Sequence, residues 1–376
     1  MDITSNWVLI VNIVGAANGF FLSAVIAGIK KGKKITNLFL ASLIFSLTLL
    51  IFYQVLWQTG FFKTFPYIIG YQKLILFLLG PLLFFYVKSL TDPKFIFKKI
   101  HILHFIPFFL NLAYQIPFFL KSSEYKIEFT ENPANILNLN YVTVLIAKYI
   151  HLFIYIVVTM VLLKKHSKEI KSYHSSIEKI TLSWMYWLLI AFSLFLWALI
   201  THFMLATYWN EFFMKTEKIF NIWETLIVFI IGYRGLIQPE IFSQTEFKDV
   251  TEKYKLSSLT QDQAEKYLEK LKIHMEKEKP HLYPNLTLYG LSKKISIQSR
   301  HLSQIINENL NQNFYDFINH YRMEEAKRYL EDTSNHKKNI LEILLDSGFN
   351  SKSVFNRVFK KYTGMTPSEY RKTQQR

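Results

Sequence analysis

The chain has 376 residues, of which 51% are hydrophobic and only 19% charged, with 34 Phe and 22 Tyr, and this is too apolar for one ordinary soluble domain. The length leaves room for two or three domains. The absence of cysteine excludes disulfide frameworks, thiolate metal sites and cysteine nucleophiles.

The net charge of +16 becomes informative when it is divided along the chain. Residues 1–237 carry 21 Lys and Arg against 10 Asp and Glu, residues 238–279 carry 8 against 9, and residues 280–376 carry 15 against 9. The three parts therefore have net charges of +11, −1 and +6. A basic excess in an apolar part indicates membrane topology, whereas one in the last part indicates a polyanionic partner.

Seven stretches of the first part are long and apolar enough to span a bilayer, which takes roughly 20 helical residues. They cover residues 7–29, 35–59, 67–89, 102–120, 139–163, 181–205 and 217–237. The first stretch differs from a cleaved signal, because no basic residue precedes it and four lysines follow it. Residues 1–237 are therefore predicted to form a seven-span membrane domain.

The distribution of lysine between the loops predicts the orientation, because positively charged loops stay in the cytoplasm. The loops after spans one, three and five contain Lys30, Lys31, Lys33, Lys34, Lys88, Lys94, Lys98, Lys99, Lys164, Lys165, Lys168, Lys171 and Lys179. The opposite side has Lys63, Lys121, Lys126, Lys215 and Lys218. The N-terminus is thus predicted outside, and everything after Arg234 in the cytoplasm.

Ionisable side chains inside a span are energetically costly and mark candidate functional sites. Counted from the outer helix ends, Glu224, Lys148 and Lys73 lie at similar depth, and His202 lies near the outer end of span six. We interpret these four residues as an outward-opening ligand pocket in which Glu224 pairs with one of the lysines. The alternative is that the lysines extend to the lipid headgroups while polar amides link the helices.

No cofactor, metal site or enzyme is predicted. A retinal-type attachment needs a lysine in the last span, whose apolar core from Ile219 to Ile231 has none. His101 and His104 have a spacing that can present two imidazoles to a metal, but without an evident third ligand we interpret them as interfacial histidines. The spans and loops show no carboxylate pair, nucleophile–base arrangement or phosphate-binding glycine loop.

Residues 238–279 are predicted to form a cytoplasmic linker with one helix. Pro239 ends the seventh span, and Thr260 with Gln263 three residues later forms a capping box. The apolar residues that recur at helical spacing after it are Ala264, Leu268, Leu271 and Met275. Because this stripe is short, we expect it to pack within the chain rather than to dimerise.

Residues 280–376 contain two copies of a helix, a turn and a second helix, separated by a longer helix. The first copy is predicted as Leu286–Lys294, Ser296–Gln298 and Ser299–Leu310. The second is predicted as Asn339–Ser347, a left-handed Gly348, and a helix capped by Ser351. The predicted inward-facing residues are Leu302, Ile305 and Ile306 in the first copy and Phe355, Val358 and Phe359 in the second. The residues that mark the connecting helix are Phe317, Ile318, Tyr321, Met323, Ala326 and Leu330.

Residues 286–371 resemble the DNA-binding domain of the AraC family. The likeness is densest from Gly348 to Arg371, in GFNSKSVFNRVFKKYTGMTPSEYR, which follows the pattern G-F-x-S-x-S-x-F-x-R-x-F-K-K-x-x-G-x-T-P nearly throughout. The resemblance implies a domain of seven helices whose two recognition helices enter successive major grooves on one face of the duplex. Some bacterial regulators likewise join a multispan helix bundle to an AraC-type domain. The resemblance therefore implies that this protein lies in a bacterial inner membrane.

The resemblance also implies which side chains face DNA. The groove-facing positions are Arg300, Ser303 and Gln304 in the first recognition helix, and Lys352, Ser353, Asn356 and Arg357 in the second. Arg suits guanine, and Gln or Asn suits adenine. The residues expected at phosphates, which position the protein without reading sequence, are Lys360, Lys361 and Arg371.

Four positions depart from the family pattern. Leu344 stands where a small Ala is usual, and Ser292, Ser296 and Gln298 replace the common Ala, turn Gly and capping Ser of the first copy. We therefore expect altered packing, and the register of the first recognition helix stays open.

The sequence thus predicts an all-α protein, with a seven-transmembrane helix bundle followed by a cytoplasmic AraC-type domain with two helix-turn-helix units. We interpret it as a membrane-bound transcription regulator and one-component sensor. Its expected partners are double-stranded DNA, the lipid bilayer and an unknown signal ligand or membrane partner. Two alternatives stay open, a transporter with an appended regulatory domain and a passive membrane tether, as does homodimerisation.

Overall fold

The computed structural model describes residues 3–30, 32–131, 139–178, 180–206, 210–237, 259–332 and 338–374. Over these ranges the regular structure is helical, and the only extended pairing is an isolated antiparallel bridge between His174 and Thr287. The predicted all-α class is confirmed.

The described residues of the apolar part form helices of very different lengths. They are α1 (Ile3–Gly28), α2 (Lys34–Gln58), α3 (Phe61–Thr64), α4 (Gln72–Thr91), α5 (Ile106–Phe119), α6 (Ser123–Glu131), α7 (Leu139–Lys171), α8 (Ser183–Ala206) and α9 (Asn210–Ile237). Short 3-10 segments at Pro66–Ile68 and Lys99–Phe105 precede α4 and α5. The predicted stop at Pro239 lies outside the described residues.

The helices of the polar part are shorter. They are α10 (Gln261–Lys277), α11 (Leu288–Lys294), α12 (Ser299–Gln304), α13 (Phe314–Glu331), α14 (Ile340–Asp346), α15 (Lys352–Thr363) and α16 (Pro367–Gln374). A 3-10 segment at Pro280–Leu282 lies between α10 and α11.

The chain divides into two compact units. The first comprises Met1–Leu163 and Ser183–Phe242, and the second comprises Lys164–Leu182 and Ser243–Arg376. The connection between α7 and α8 thus belongs to the same unit as the predicted DNA-binding domain. No pattern in the sequence indicated this grouping.

In the first unit, α1 packs against α2 and α9, and α2 also packs against α4. Two glycines on α1 permit the close approach of its neighbours. A Cβ on Gly15 would lie 2.5 Å from Thr225 Cγ2, and one on Gly19 would overlap Thr48 Oγ1. Small residues at helix crossings are typical of membrane proteins, where van der Waals packing drives helix association.

Five helical segments among the described residues are long and apolar enough to cross a membrane. They are Trp7–Gly28, Lys34–Gln58, Pro66–Thr91, Lys99–Phe119 and Val142–Lys171, and they coincide with the first five predicted spans. The predicted sixth and seventh spans fall on α8 and α9. Their crossing of a membrane stays a prediction.

In the second unit, α10 begins with the predicted capping box. Gln263 N–H donates to Thr260 Oγ1, and Thr260 N–H donates to Gln263 Oε1, both over 3.4 Å. Leu271 and Met275 of this helix are fully buried in a core cluster with residues of α11 and α12. The expected packing of this helix within the chain is confirmed.

Two apolar clusters form the core of the second unit, and α13 contributes to both. It gives Phe314, Phe317 and Ile318 to the first cluster and Met323, Ala326 and Leu330 to the second. Burial of such a side chain stabilises a fold by roughly 1.5–3 kcal/mol. Helix α13 therefore joins the two short helix pairs through one continuous side-chain stripe.

Candidate nucleic-acid interface

The first predicted helix pair consists of α11 and α12. Thr287 caps α11, because its Oγ1 accepts a hydrogen bond from Gly290 N–H at 3.0 Å. Ser292 and Ser299 are buried with their hydroxyl oxygens 2.7 Å apart, which links the two helices. Serine at position 292, where the family usually has alanine, is thus accommodated by a hydrogen-bond partner inside the core.

The turn between these helices holds Ser296 in the left-handed conformation, at φ +51°. This is the position where the AraC pattern has glycine. Ser296→Gly is expected to raise the free energy of unfolding of the second unit by about 1 kcal/mol, because a Cβ disfavours positive φ. Hydrogen exchange of the α11 and α12 amides in the full chain measures this change in the free energy of unfolding.

Ser303→Gly is the matched control for this substitution. Position 303 is helical, so glycine there is expected to lower stability by about 0.5–1 kcal/mol. Faster exchange in the Ser296→Gly variant than in the native protein would contradict the assignment of strain to this turn.

The second predicted pair consists of α14 and α15. A capping box starts α14, with Glu342 N–H donating to Asn339 Oδ1 at 2.9 Å and Asn339 N–H donating to Glu342 Oε2 at 2.8 Å. Gly348 has the predicted left-handed conformation, with φ +84°. Ser351 is the N-cap residue of α15 as predicted, although its Oγ pairs with Ser353 Oγ (3.1 Å) and not with a helix N–H.

Helix α15 has one buried and one exposed face. Val354, Phe355, Val358 and Phe359 are buried in the second core cluster. On the other face Lys352, Ser353, Arg357 and Lys360 are exposed and Asn356 is half-buried. The groove-facing residues inferred from the resemblance therefore share one accessible face of a helix whose back is fixed in the core.

Helix α12 differs from the prediction in its length. It ends at Gln304, and a π-helical turn at Ile305–Asn309 follows, where the sequence predicted continuous α-helix to Leu310. Leu302, Ile305 and Ile306 are buried as predicted. The wider turn keeps both isoleucines in the core while the chain leaves the helix.

The three residues of α12 that are predicted to face DNA are half-buried, and they are Arg300, Ser303 and Gln304. Gln304 Nε2 donates to Glu308 Oε2 at 2.9 Å, and Ser303 Oγ accepts from Asn307 Nδ2 at 3.2 Å. One amino nitrogen of Arg300 is buried without a hydrogen-bond partner in the described part of the chain.

Lys361, expected at a phosphate, is exposed and lies 3.4 Å from Asp316 Oδ1. An exposed ion pair of this kind contributes roughly 0–1 kcal/mol. A DNA phosphate can therefore compete with the carboxylate for this lysine.

Arg322 on α13 is 2% exposed, and no pattern in the sequence marked it as a functional residue. Its guanidinium donates to His281 O (2.8 Å), Ser175 O (3.0 Å), Ser175 Oγ (3.1 Å), Tyr283 O (3.0 Å) and Pro284 O (3.1 Å). Burial lowers the pKa of Arg322 to about 10, which leaves the group charged at neutral pH. Helical periodicity places this residue on α13 but carries no signal for acceptors in distant segments.

Two of the predicted pocket residues in the first unit are neighbours. Lys73 and Lys148 lie close enough to interact electrostatically. Lys73 Nζ lies 4.5 Å from the ring centroid of Phe118 and 5.1 Å from that of Phe129, and the buried Lys148 has its Nζ 5.9 Å from that of Phe77. Aromatic faces thus stabilise both ammonium groups.

The predicted ion pair of Glu224 with one of these lysines is not formed among the described residues, where its buried Oε2 has no hydrogen-bond partner. Glu224 lies on α9 and the lysines lie on α4 and α7. The cavity that these three helices share is lined by apolar side chains, including Leu79, Leu152 and Ile227. The side chain of His202 lies outside the described residues.

The two histidines weighed as metal ligands have other interactions. His101 Nδ1 accepts a hydrogen bond from Lys98 N–H at 3.0 Å, and His104 Nδ1 lies 2.6 Å from the hydroxyl of Tyr155. The described ranges contain no group of three or more side chains arranged to hold a metal ion.

Comparison with known proteins matches the region that contains both helix pairs. A family model described as "Helix-turn-helix domain" covers residues 291–373. An uncharacterized HTH-type transcriptional regulator of Staphylococcus aureus (strain COL) is 37% identical over 91 residues, which are 24% of this chain and 12% of that protein. The melibiose operon regulatory protein of Escherichia coli (strain K12) is 31% identical over 90 residues, 24% of this chain and 29% of that protein. No solved structure matches.

The C-terminal region is therefore a helix-turn-helix domain of the kind found in transcriptional regulators. More particularly, it is an AraC-type domain, as the motif from Gly348 to Arg371 indicated. The chain spans about an eighth of the length of its Staphylococcus relatives, so the likeness concerns this domain alone.

Proposed function

We propose that the protein is a membrane-bound transcription regulator that binds double-stranded DNA sequence-specifically through two helix-turn-helix units. The observation that carries the proposal is the accessible polar face of α15 opposite its buried apolar face. An α-helix fits the major groove, where the base pairs present distinguishable edges. The net charge of +6 in residues 280–376 supports attraction to the phosphate backbone.

Within this proposal, each exposed residue has a role that follows from its chemistry. Arg357 and Asn356 present groups that form paired hydrogen bonds with guanine and adenine. Lys360 and Lys361, nearer the C-terminal end of α15, neutralise phosphates. In the first helix-turn-helix unit, Arg300, Ser303 and Gln304 form the second reading surface.

Arg357→Ala is expected to weaken binding to the operator by about 1–3 kcal/mol and to relax base preference at one position. Binding to random DNA changes little, because the lost contact reads a base. The operator is first identified by mapping genomic sites occupied by the full-length protein, and affinities are then measured on operator and random fragments.

Lys360→Ala is the matched control, one helical turn away on the same face. If Lys360 contacts a phosphate, its removal weakens binding to operator and random DNA by similar factors. The slope of the logarithm of the binding constant against the logarithm of the salt concentration then becomes shallower by about one. Equal losses on operator and random DNA for Arg357→Ala would show a phosphate contact and would overturn the base-reading role.

We propose that residues 1–237 form seven spans in a bacterial inner membrane, with the second unit in the cytoplasm. The five apolar segments support this, as do the exposed Phe21, Leu110 and Trp187 on α1, α5 and α8. Reporters fused after Arg376 and within the loop at Lys121 test the topology. A reporter after Arg376 that is active only outside the cytoplasm would overturn both the topology and the control of genes.

A sensing role for the spans is the second part of the proposal, and the buried Oε2 atom of Glu224 supports it. Glu224→Gln is expected to abolish the change in target transcription that the native protein shows between growth conditions, with membrane level and operator affinity unchanged. Glu124→Gln on α6 is the control with an exposed carboxyl. An unchanged response in the Glu224→Gln strain would favour the passive tether.

A further inference from the structure

Residues 172–178, the clasp segment, belong to the connection between α7 and α8 and lie in the second unit. They pair with the chain that leads into α11. Tyr173 O accepts a hydrogen bond from Leu288 N–H at 3.0 Å, and Ser175 N–H donates to Leu286 O at 3.2 Å. The ring of Tyr173 also packs against the first core cluster. The clasp segment is therefore attached to the first helix-turn-helix unit.

Arg322 strengthens this attachment from the side of α13. Of its five hydrogen bonds, two go to Ser175 and three to backbone carbonyls between His281 and Pro284. Ser175 Oγ also donates to Leu286 O at 2.7 Å. Because Arg322 and Ser175 are both buried, water cannot replace these partners.

The same segment also contacts the second helix-turn-helix unit. Ser176 Oγ lies 3.1 Å from Oδ1 of Asn350, which stands two residues before the start of α15. Ile177 is buried in a small cluster with Tyr315, and Tyr315 interacts electrostatically with Arg357. The clasp segment thus reaches both helix-turn-helix units.

We infer that the clasp segment is a positioning element for DNA recognition, which fixes the two helix-turn-helix units relative to each other so that both engage one operator. The inference rests on the proposed function. Two linked binding modules gain affinity only when their geometry allows simultaneous engagement. Since the segment is covalently continuous with α7 and α8, a displacement of those helix ends changes operator affinity through it.

Ser176→Ala combined with Ile177→Ala tests this role without touching Arg322 or Ser175. Full-length protein in nanodiscs is assayed on the complete operator and on a fragment with only the half protected by the first helix-turn-helix unit. We expect about tenfold weaker binding to the complete operator and unchanged binding to the half site. Ser172→Ala, in the same segment, is the control and binds both like the native protein.

If the clasp segment only stabilises the fold, the double variant binds both fragments more weakly. If the segment has no role, the double variant binds both fragments like the native protein. Either result overturns the inference. Failure of the native protein to bind any DNA would instead overturn the proposed function.

Cross-linking tests the docking itself, independently of DNA. Because the chain has no cysteine, the pair Ser176→Cys and Asn350→Cys can be joined specifically by a short bifunctional thiol reagent. We expect joining in native membranes, with single-cysteine variants as controls. Joining the same pair in the Ile177→Ala background should restore binding to the complete operator. Absence of joining, or joining without restored binding, would overturn the inference.

Discussion

Gly348→Ala is expected to lower the free energy of unfolding of the second unit by about 3 kcal/mol or more and to abolish operator binding. At φ +84°, a Cβ there would overlap His281 O and lie 2.8 Å from Leu282 Cα. Both are backbone atoms, so no side-chain rotation relieves the clash. The turn into α15 must then shift, and with it the polar face of that helix.

Gly364→Ala separates the steric clash from the conformational penalty of a left-handed alanine, which both contribute to the expected loss of stability in Gly348→Ala. Gly364 also has a left-handed conformation, at φ +77°, but a Cβ there meets no atom within 4 Å. Its substitution is expected to cost only about 1–2 kcal/mol, the conformational penalty alone. Hydrogen exchange of the α14 and α15 amides in the full chain measures both variants, and equal losses would contradict the proposed clash.

Arg322→Met is the second substitution with a large expected effect, a decrease of about 3 kcal/mol or more in the free energy of unfolding of the second unit, because each buried acceptor left unsatisfied costs about 1–3 kcal/mol. Methionine fills part of the space but donates no hydrogen bond, so three backbone carbonyls and both oxygens of Ser175 lose a buried donor. Arg322→Lys recovers little of the loss, because an ammonium group cannot match the planar arrangement of five donors.

Arg328→Met is the matched control on the same helix. Its guanidinium is 65% exposed and makes an ion pair with Glu325 at 3.1 Å, so its loss is expected to cost roughly 1 kcal/mol or less. Denaturant-dependent hydrogen exchange of the α13 amides gives both values. Similar values for the two variants would contradict the role of Arg322 as a buried link.

Several features of the second unit could be predicted because they depend on neighbouring residues alone. The capping box of Thr260 and Gln263, the left-handed Gly348 and the buried face of α15 all follow from spacings of one or two helical turns. The AraC-type motif then indicated which residues share the exposed face of α15.

Predictions that needed contacts between distant segments were less successful. Glu224, Lys73 and Lys148 lie at similar depth along their helices, yet depth does not determine which side chains meet each other. The π-helical turn after Gln304 was also missed, because it depends on how Ile305 and Ile306 fit the core.

The amino-acid sequence by itself determined the apolar segments, the capping box of Thr260, the left-handed turn at Gly348 and the identity of the C-terminal domain, because each of these is encoded in local spacing or in a contiguous motif. Only the tertiary structure decided that the α7–α8 connection joins the second unit and that Arg322 holds it there. The physical reason is that backbone carbonyls are chemically alike at every position, so nothing local marks Ser175, His281 or Pro284 as the acceptors of a buried arginine more than 35 residues away.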